Sequence, residues 1–181
     1  LVRVNLRTKV VTTLATLAIF RGLTKLIGDG QTIPVAGFSD LGVVRPLFDV
    51  PLSVYILAAV VIVFIVVLKQ TVYGRSMYAM GANPAAARLS GIRTDRAIFM
   101  SFMISAACVA LAGLIRLSQI RAAGGTTGSG VELSVITAVV LGGASLSGGR
   151  GGIAGTIVAV CIIGVLNNGL IQINVPQFYQ E

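Results

Sequence analysis

These 181 residues contain no histidine and no tryptophan. Without histidine, Ser-His-Asp chemistry is excluded within the chain. The two cysteines, Cys108 and Cys161, each lie inside an apolar run and are not at metal-ligand spacing. They read as packed thiols rather than a disulfide, and no zinc site of the usual types is expected. Charge is also scarce: 11% of residues are Asp, Glu, Lys or Arg, against roughly 25% in a soluble domain. The six acids, Asp29, Asp40, Asp49, Asp95, Glu132 and Glu181, fall in loops or at the ends of apolar runs. No pair of carboxylates shares a membrane helix, which disfavours proton-coupled carriage. No catalytic residue, metal or cofactor is therefore expected in this chain, which is not read as an enzyme.

What is abundant is hydrocarbon. Hydrophobic residues make up 55% of the chain, and the mean hydropathy is +0.93. The fold class expected is all-α, a polytopic helical membrane protein with about five transmembrane helices. The formal net charge of +8 does not indicate nucleic acid, because basic residues flank membrane spans and the aromatic interleaving needed for base stacking is missing. The clearest span is 51–68, "PLSVYILAAVVIVFIVVL". It has no charge and would rise roughly 27 Å as a helix, close to the bilayer core thickness. Residues 97–115 and 153–171 are comparable. Residues 10–27 form a weaker candidate because Arg21 and Lys25 lie in its second half, where they can snorkel. Residues 133–146 are short and end in glycines, which fits a short span or a re-entrant element.

Loop charge orients these spans. The first nine residues carry Arg3, Arg7 and Lys9 for +3, the 28–50 connection sums to −2, and the 69–96 connection sums to +4. The positive-inside rule places 69–96 and the N-terminal segment in the cytoplasm and 28–50 outside. Alternation holds if 133–146 crosses fully; Arg116 and Arg121 then dissent by facing outside.

Two glycine-rich pieces, "AAGGTTGSG" (122–130) and "GGASLSGGRGG" (142–152), are the irregular hinges. The second opens like a phosphate loop, but Gly149-Arg150 stands where Lys and Ser/Thr are required. Neither piece contains G-x-G-x-x-G, so a dinucleotide fingerprint fails too. The G-x-x-x-G spacings Gly148–Gly152 and Gly151–Gly155 fit a tight turn between two spans packed face to face. Within the 153–171 run, Asn167 and Asn168 are costly in hydrocarbon unless they face protein or water. They either hydrogen-bond between helices or line a polar translocation path. Thr12, Thr16 and Thr24 lie near one face of the first span, where bonding back to the helix is the simpler role. Glu132 sits at a predicted helix start, where the helix dipole favours an acid.

The 69–96 connection contains "GANPAAARLSGI", residues 81–92. It reads as a miniature helix: Asn83 as N-cap, Pro84 at the first helical position, Ala85, Ala86, Ala87, Arg88 and Leu89 as strong formers, and Gly91 as a left-handed terminator. A helix this short is unstable alone in water, so it must be pressed against something.

Three runs together resemble the permease subunits of ribose-type sugar ABC importers. They are Arg21-Gly22-Leu23-Thr24 with Asp29-Gly30-Gln31, "GRSMYAMGANPAAARLSGI" (74–92), and "AVVLGGASLSGGRGGIAGTIVAVCIIGVLNNGL" (138–170). The resemblance covers nearly the whole chain. It implies a multi-pass permease of the bacterial inner membrane that pairs with a second permease subunit. Separate ABC ATPase subunits, which bind ATP and Mg²⁺, would drive it, and an external solute-binding protein would deliver a monosaccharide. Residues 1–181 would then be the C-terminal part of one transmembrane permease domain, an internal piece that begins later and stops earlier than its relatives. The short helix matches the coupling helix that rests in a groove of the ATPase, over Gly81, Asn83, Ala85, Ala86, Arg88, Leu89, Ser90, Gly91 and Ile92. Relatives often carry Glu where this chain has Pro84, so the contact implied here is one of shape and capping rather than a salt bridge. The competing reading is a secondary carrier or channel for a small polar solute, working without an ATPase.

Overall fold

The structure, a computed structural model, describes residues 6–35, 44–45 and 49–173, with side chains described from residue 11 onward. The charges of Arg3, Arg7 and Lys9, Asp40 and the terminal "VPQFYQE" lie outside what is described. Seven helices occur among the described residues. They are α1 (Leu6–Ile27), α2 (Leu52–Gln70), α3 (Val72–Ala82), α4 (Pro84–Leu89), α5 (Thr94–Ile120), α6 (Val131–Leu141) and α7 (Ile153–Gln172). Two-residue strands β1 (Ile33–Pro34) and β2 (Ala122–Ala123) pair antiparallel, a small addition to an otherwise helical fold.

The long spans follow from composition. Among the described residues, α2, α5 and α7 are long and apolar enough to cross a membrane. Most of their large apolar side chains point outward: Val63, Phe102 and Val165 are all exposed. Such helices need no water-driven core, since lipid tails are as apolar as their own side chains. The 22-residue α1 is long enough but interrupted by charge, as expected. Its threonines bond back to the helix: Thr16 Oγ1 donates to the Thr12 carbonyl and Thr24 Oγ1 to that of Phe20, both at 2.8 Å.

The 133–146 candidate changes character. Helix α6 has 11 residues, a rise of about 16 Å, roughly half the hydrocarbon thickness. It is too short to cross as a helix by itself, in keeping with the short or re-entrant element expected there. It ends because Gly143 takes φ +84°. The amides of Gly143 and Ala144 then return to the carbonyls of Val140 and Val139, closing the helix as a Schellman cap.

The chain divides into two compact units. The first holds α1, the β1–β2 pair and the C-terminal part of α5. In it the aliphatic stem of Lys25 lies so close to Gly125 that a methyl there would sit 2.6 Å from its Cγ. The second holds most of α2, all of α3 and α4, the first half of α5, and α6 and α7.

Within the second unit α6 packs against α7. Gly142 stands against the start of α7, where a methyl would come 2.6 Å from Thr156 Cα, and Gly155 faces Gly142 in return. One turn further from the junction, Ala138 and Ala159 are buried. The close approach therefore uses Ala138-x-x-x-Gly142 against Gly155-x-x-x-Ala159, a small-residue pair on each helix. Of the glycines at the expected G-x-x-x-G spacings, Gly155 serves this packing and Gly151 lies in the turn against Ala144, whereas Gly148 and the neighbouring Gly149 meet the end of α3.

Candidate coupling site

The elbow begins where α2 breaks into α3. Thr71 is the hinge: its hydroxyl donates to the Val67 carbonyl at 2.6 Å and accepts from the Gly74 amide at 3.2 Å. Gly74 lies directly on the Leu68 backbone, which leaves no room for a side chain. Helix α3 was not foreseen as a separate element. Its sequence "VYGRSMYAMGA" is neither apolar enough to signal a span nor periodic enough to stand out.

Asn83 joins α3 to α4 and serves both. Its backbone amide donates to the Ala79 carbonyl, closing α3. Its side-chain oxygen accepts from the amides of Ala85 and Ala86, both at 3.1 Å, opening α4. Pro84 occupies the first helical position, where no amide is needed. At the other end Gly91 sits at φ +81°. The Ile92 amide bonds the Ala87 carbonyl at 3.1 Å and the Gly91 amide bonds that of Arg88 at 3.0 Å. This is a second Schellman cap, with Ile92 packing beside Ala87 as the motif favours.

One face of α4 is pressed on its own chain. Ala87 is 4% exposed and clusters with Met80 of α3 and Ala97 of α5, with Met77 and Ile92 around them. Arg88, though largely exposed, is tied to the start of α5: its Nε donates to Thr94 Oγ1 at 2.9 Å, and its Nη2 reaches Asp95 at 3.4 Å. Thr94 is buried, so this bond satisfies a group that would otherwise be costly. The opposite face is left open. Ala85, Ala86 and Ser90 are exposed, and Leu89 is 90% exposed. Of the residues in the predicted site, Asn83, Pro84, Ala85, Ala86, Arg88, Leu89 and Gly91 thus form one contiguous device. Gly81 lies outside the short helix, near the end of α3.

Helix α3 has two working faces. On one, Tyr73 shares a 2.9 Å hydrogen bond with Ser101 of α5, and the Ser101 hydroxyl also lies 3.6 Å from Met77 Sδ. On the other, Tyr78, Gly81 and Ala82 meet the glycine turn before α7. Tyr78 Oη donates to the Gly151 carbonyl at 2.9 Å. A methyl on Gly81 would run into the Gly149 nitrogen; one on Gly148 would come 2.7 Å from the Gly81 oxygen, and one on Gly149 2.8 Å from Ala82 Cα. Gly148 and Gly149 also hold φ of +87° and +75°, which glycine alone adopts freely. Sequence reasoning missed Tyr78, Gly148 and Gly149 as parts of this site. They stand in two separately quoted runs, and nothing in either run says that the two meet.

Beside this junction lies an open groove of about 630 Å³, walled by Leu57, Val61, Met77, Val160 and Cys161, with Arg150 at its glycine end. Its hydrocarbon wall offers little for a polyol to bond. Asn167 and Asn168 lie three-quarters of the way along α7 and are exposed there. The coupling candidates and the path candidates are therefore not brought together.

Over residues 1–181 the chain matches the family described as "Branched-chain amino acid transport system / permease component". It belongs to this permease family. Among curated proteins, it is 43% identical over 175 residues to the ribose import permease protein RbsC of Bacillus subtilis, a match covering 94% of this chain and 54% of the relative. It is 38% identical over 177 residues to the protein of the same name from Escherichia coli, with the same coverage of each chain. The L-arabinose transport system permease protein AraH of Escherichia coli is 37% identical over 172 residues, covering 94% of this chain and 52% of the relative. The permease chain thus spans about half the length of the curated relatives it matches. No solved structure matches it. The ribose-type resemblance read from the three runs is borne out by these relatives, as is a multi-pass helical membrane protein.

Proposed function

We propose that this chain is part of the transmembrane permease subunit of an ATP-driven importer in the bacterial inner membrane. The importer moves a monosaccharide, ribose-like or related, handed over by an external solute-binding protein. Helix α4 is its coupling helix, seated in a groove of an ABC ATPase subunit that binds ATP and Mg²⁺, and the permease works paired with a second permease subunit. The names of the relatives support sugar import. The observation that carries the coupling role is the two-sided build of α4: Ala87 buried on its own chain, and Leu89 on the same six-residue helix almost wholly exposed.

A surface helix with capped ends, a small-residue face and an outward leucine is fit to press into a groove and to move as a rigid piece. Arg88 is already bonded to Thr94 and Asp95, so the contact rests on Ala85, Ala86 and Leu89. Asn167 and Asn168 belong to the translocation path or to the contact with further helices, because exposed amides in hydrocarbon cost kcal/mol without polar partners.

The test is co-purification. The full-length permease is expressed with the ABC ATPase subunit of its own organism, and ATPase recovered per permease is measured. Leu89→Asp is expected to lower recovery roughly tenfold, the scale of a modest interface hot spot, while membrane insertion persists. Undiminished recovery would remove α4 from the ATPase contact.

A further inference from the structure

We propose that the glycine turn at 148–151 is the receiver of the coupling stroke: displacement of α4 reaches α7 through a backbone interlock between the end of α3 and this turn. The inference rests on the coupling role of α4 proposed above and adds the route by which its movement enters the membrane.

Three observations lead there. First, α4 cannot move without α3. One residue, Asn83, closes α3 and opens α4, and Ala87 is packed with Met80. Second, the end of α3 is fitted to the turn with no side chain between them. Methyl groups at Gly81, Gly148 or Gly149 would each collide with backbone or Cβ atoms of the other segment. Backbone against backbone leaves no rotamer to absorb a push, and close-packed interiors transmit strain. Third, Tyr78 pins the same junction from one helical turn away through its bond to the Gly151 carbonyl.

The turn leads directly into α7, which starts at Ile153. Its start is in turn held by Gly142 against Gly155 and Thr156. A push delivered at Gly148–Gly149 therefore acts on the α6–α7 pair as one body. The other face of α3 engages α5 through the Tyr73–Ser101 bond and the packing of Met80 with Ala97, contacts made by side chains rather than by backbone on backbone. Tyr78 and Gly81 are positioning residues in this scheme; neither touches the cargo.

The molecule carries its own reporter. Cys161 lies on α7, about two turns from its start, and is a free, exposed thiol. The full-length permease, with Cys108 and any other cysteines replaced, is purified with its ATPase and reconstituted in liposomes. Labelling of Cys161 by a membrane-permeant maleimide is timed with and without ATP plus vanadate, and ATP hydrolysis is measured on the same sample. Nucleotide is expected to change the labelling rate in the parent protein. Gly81→Ala, a change that in an unobstructed helix favours the fold, is expected to shrink that change roughly tenfold while the ATPase stays bound and active. Tyr78→Phe, which removes one hydrogen bond and no volume, is expected to shrink it about two- to fivefold. Gly164→Ala, whose methyl meets nothing within 4 Å, is expected to leave it intact.

A merely structural role would lower complex yield or hydrolysis along with the labelling response; the interlock predicts loss of the response alone. Should Gly81→Ala fail to assemble, Tyr78→Phe decides. A full nucleotide response in Tyr78→Phe, or no response in the parent despite active bound ATPase, overturns the interlock and leaves the coupling role standing. Failure of the parent to hold any ATPase overturns both.

Discussion

Helix α7 and the elbow from Thr71 to Ala97 are built on opposite principles. Helix α7 is a 20-residue apolar rod with one buried residue, Ala159. Most of the rest of its surface is exposed, its N-terminus has no side-chain cap, and among the described residues it packs most closely on α6. The elbow is less apolar and far more specified. It contains two capped helices, a buried Met80–Ala87–Ala97 cluster and side-chain bonds from Thr71, Tyr73, Tyr78, Asn83 and Arg88. A rod in lipid is held by its medium, because a helix satisfies its own backbone and any apolar side chain will serve. A six-residue polar-ended helix between the apolar spans has no such help, and cannot stand at this length by propensity alone. Each of its ends has to be closed by a particular residue, and its inner face by a particular size.

That contrast can be broken most severely at Gly91. Proline cannot adopt φ +81° and has no amide to give the Arg88 carbonyl. Gly91→Pro is expected to open the C-terminal cap of α4, at a local cost of about 3 kcal/mol. Hydrogen exchange of the amides at 87–92 should rise by two orders of magnitude or so, and, under the importer role proposed above, uptake by the full-length permease should be lost while it still inserts. Normal protection at those amides would show that the cap is dispensable.

A smaller effect should come from size alone. Ala87→Leu overfills the 4%-exposed site and is expected to cost about 1–3 kcal/mol. Ala59→Leu, on an exposed face of α2, should be close to neutral. Thermal unfolding of the two variants in the same detergent measures the difference directly. Equal shifts would mean that span and elbow are packed alike.

The smallest is the N-cap. Asn83→Ala removes the acceptor for the Ala85 and Ala86 amides and should cost about 1 kcal/mol. Asn83→Ser or Asn83→Asp should restore most of it. If Ala, Ser and Asp at position 83 melt at the same temperature, the cap carries no stability.

Much of this was legible beforehand, for reasons that differ by region. The spans at 51–68, 97–115 and 153–171 were readable because uncharged length is a property of consecutive residues, and α2, α5 and α7 match them to within a few residues at the ends. The short helix was readable because caps are local: Asn-Pro at one end and Gly at the other need no distant partner. The 133–146 segment could be read only as a short span or a re-entrant element, because apolar residues continue to Leu146 while the glycines at 142–143 end the helix at Leu141. Helix α3 was missed because its pattern serves two different neighbours and so looks like neither a span nor a simple amphipathic face.

The sequence by itself determined that this is a helical membrane protein, where its apolar rods lie, and that a capped helix of one and a half turns sits between two of them. These depend on residues near one another in the chain. Only the tertiary structure decided which face of that helix is spent on its own chain and which is left exposed. It alone showed that Gly81 and Tyr78 meet the turn at 148–151, about seventy residues away. Glycine announces a close approach or an unusual backbone angle, but it carries no side chain to say which backbone will arrive.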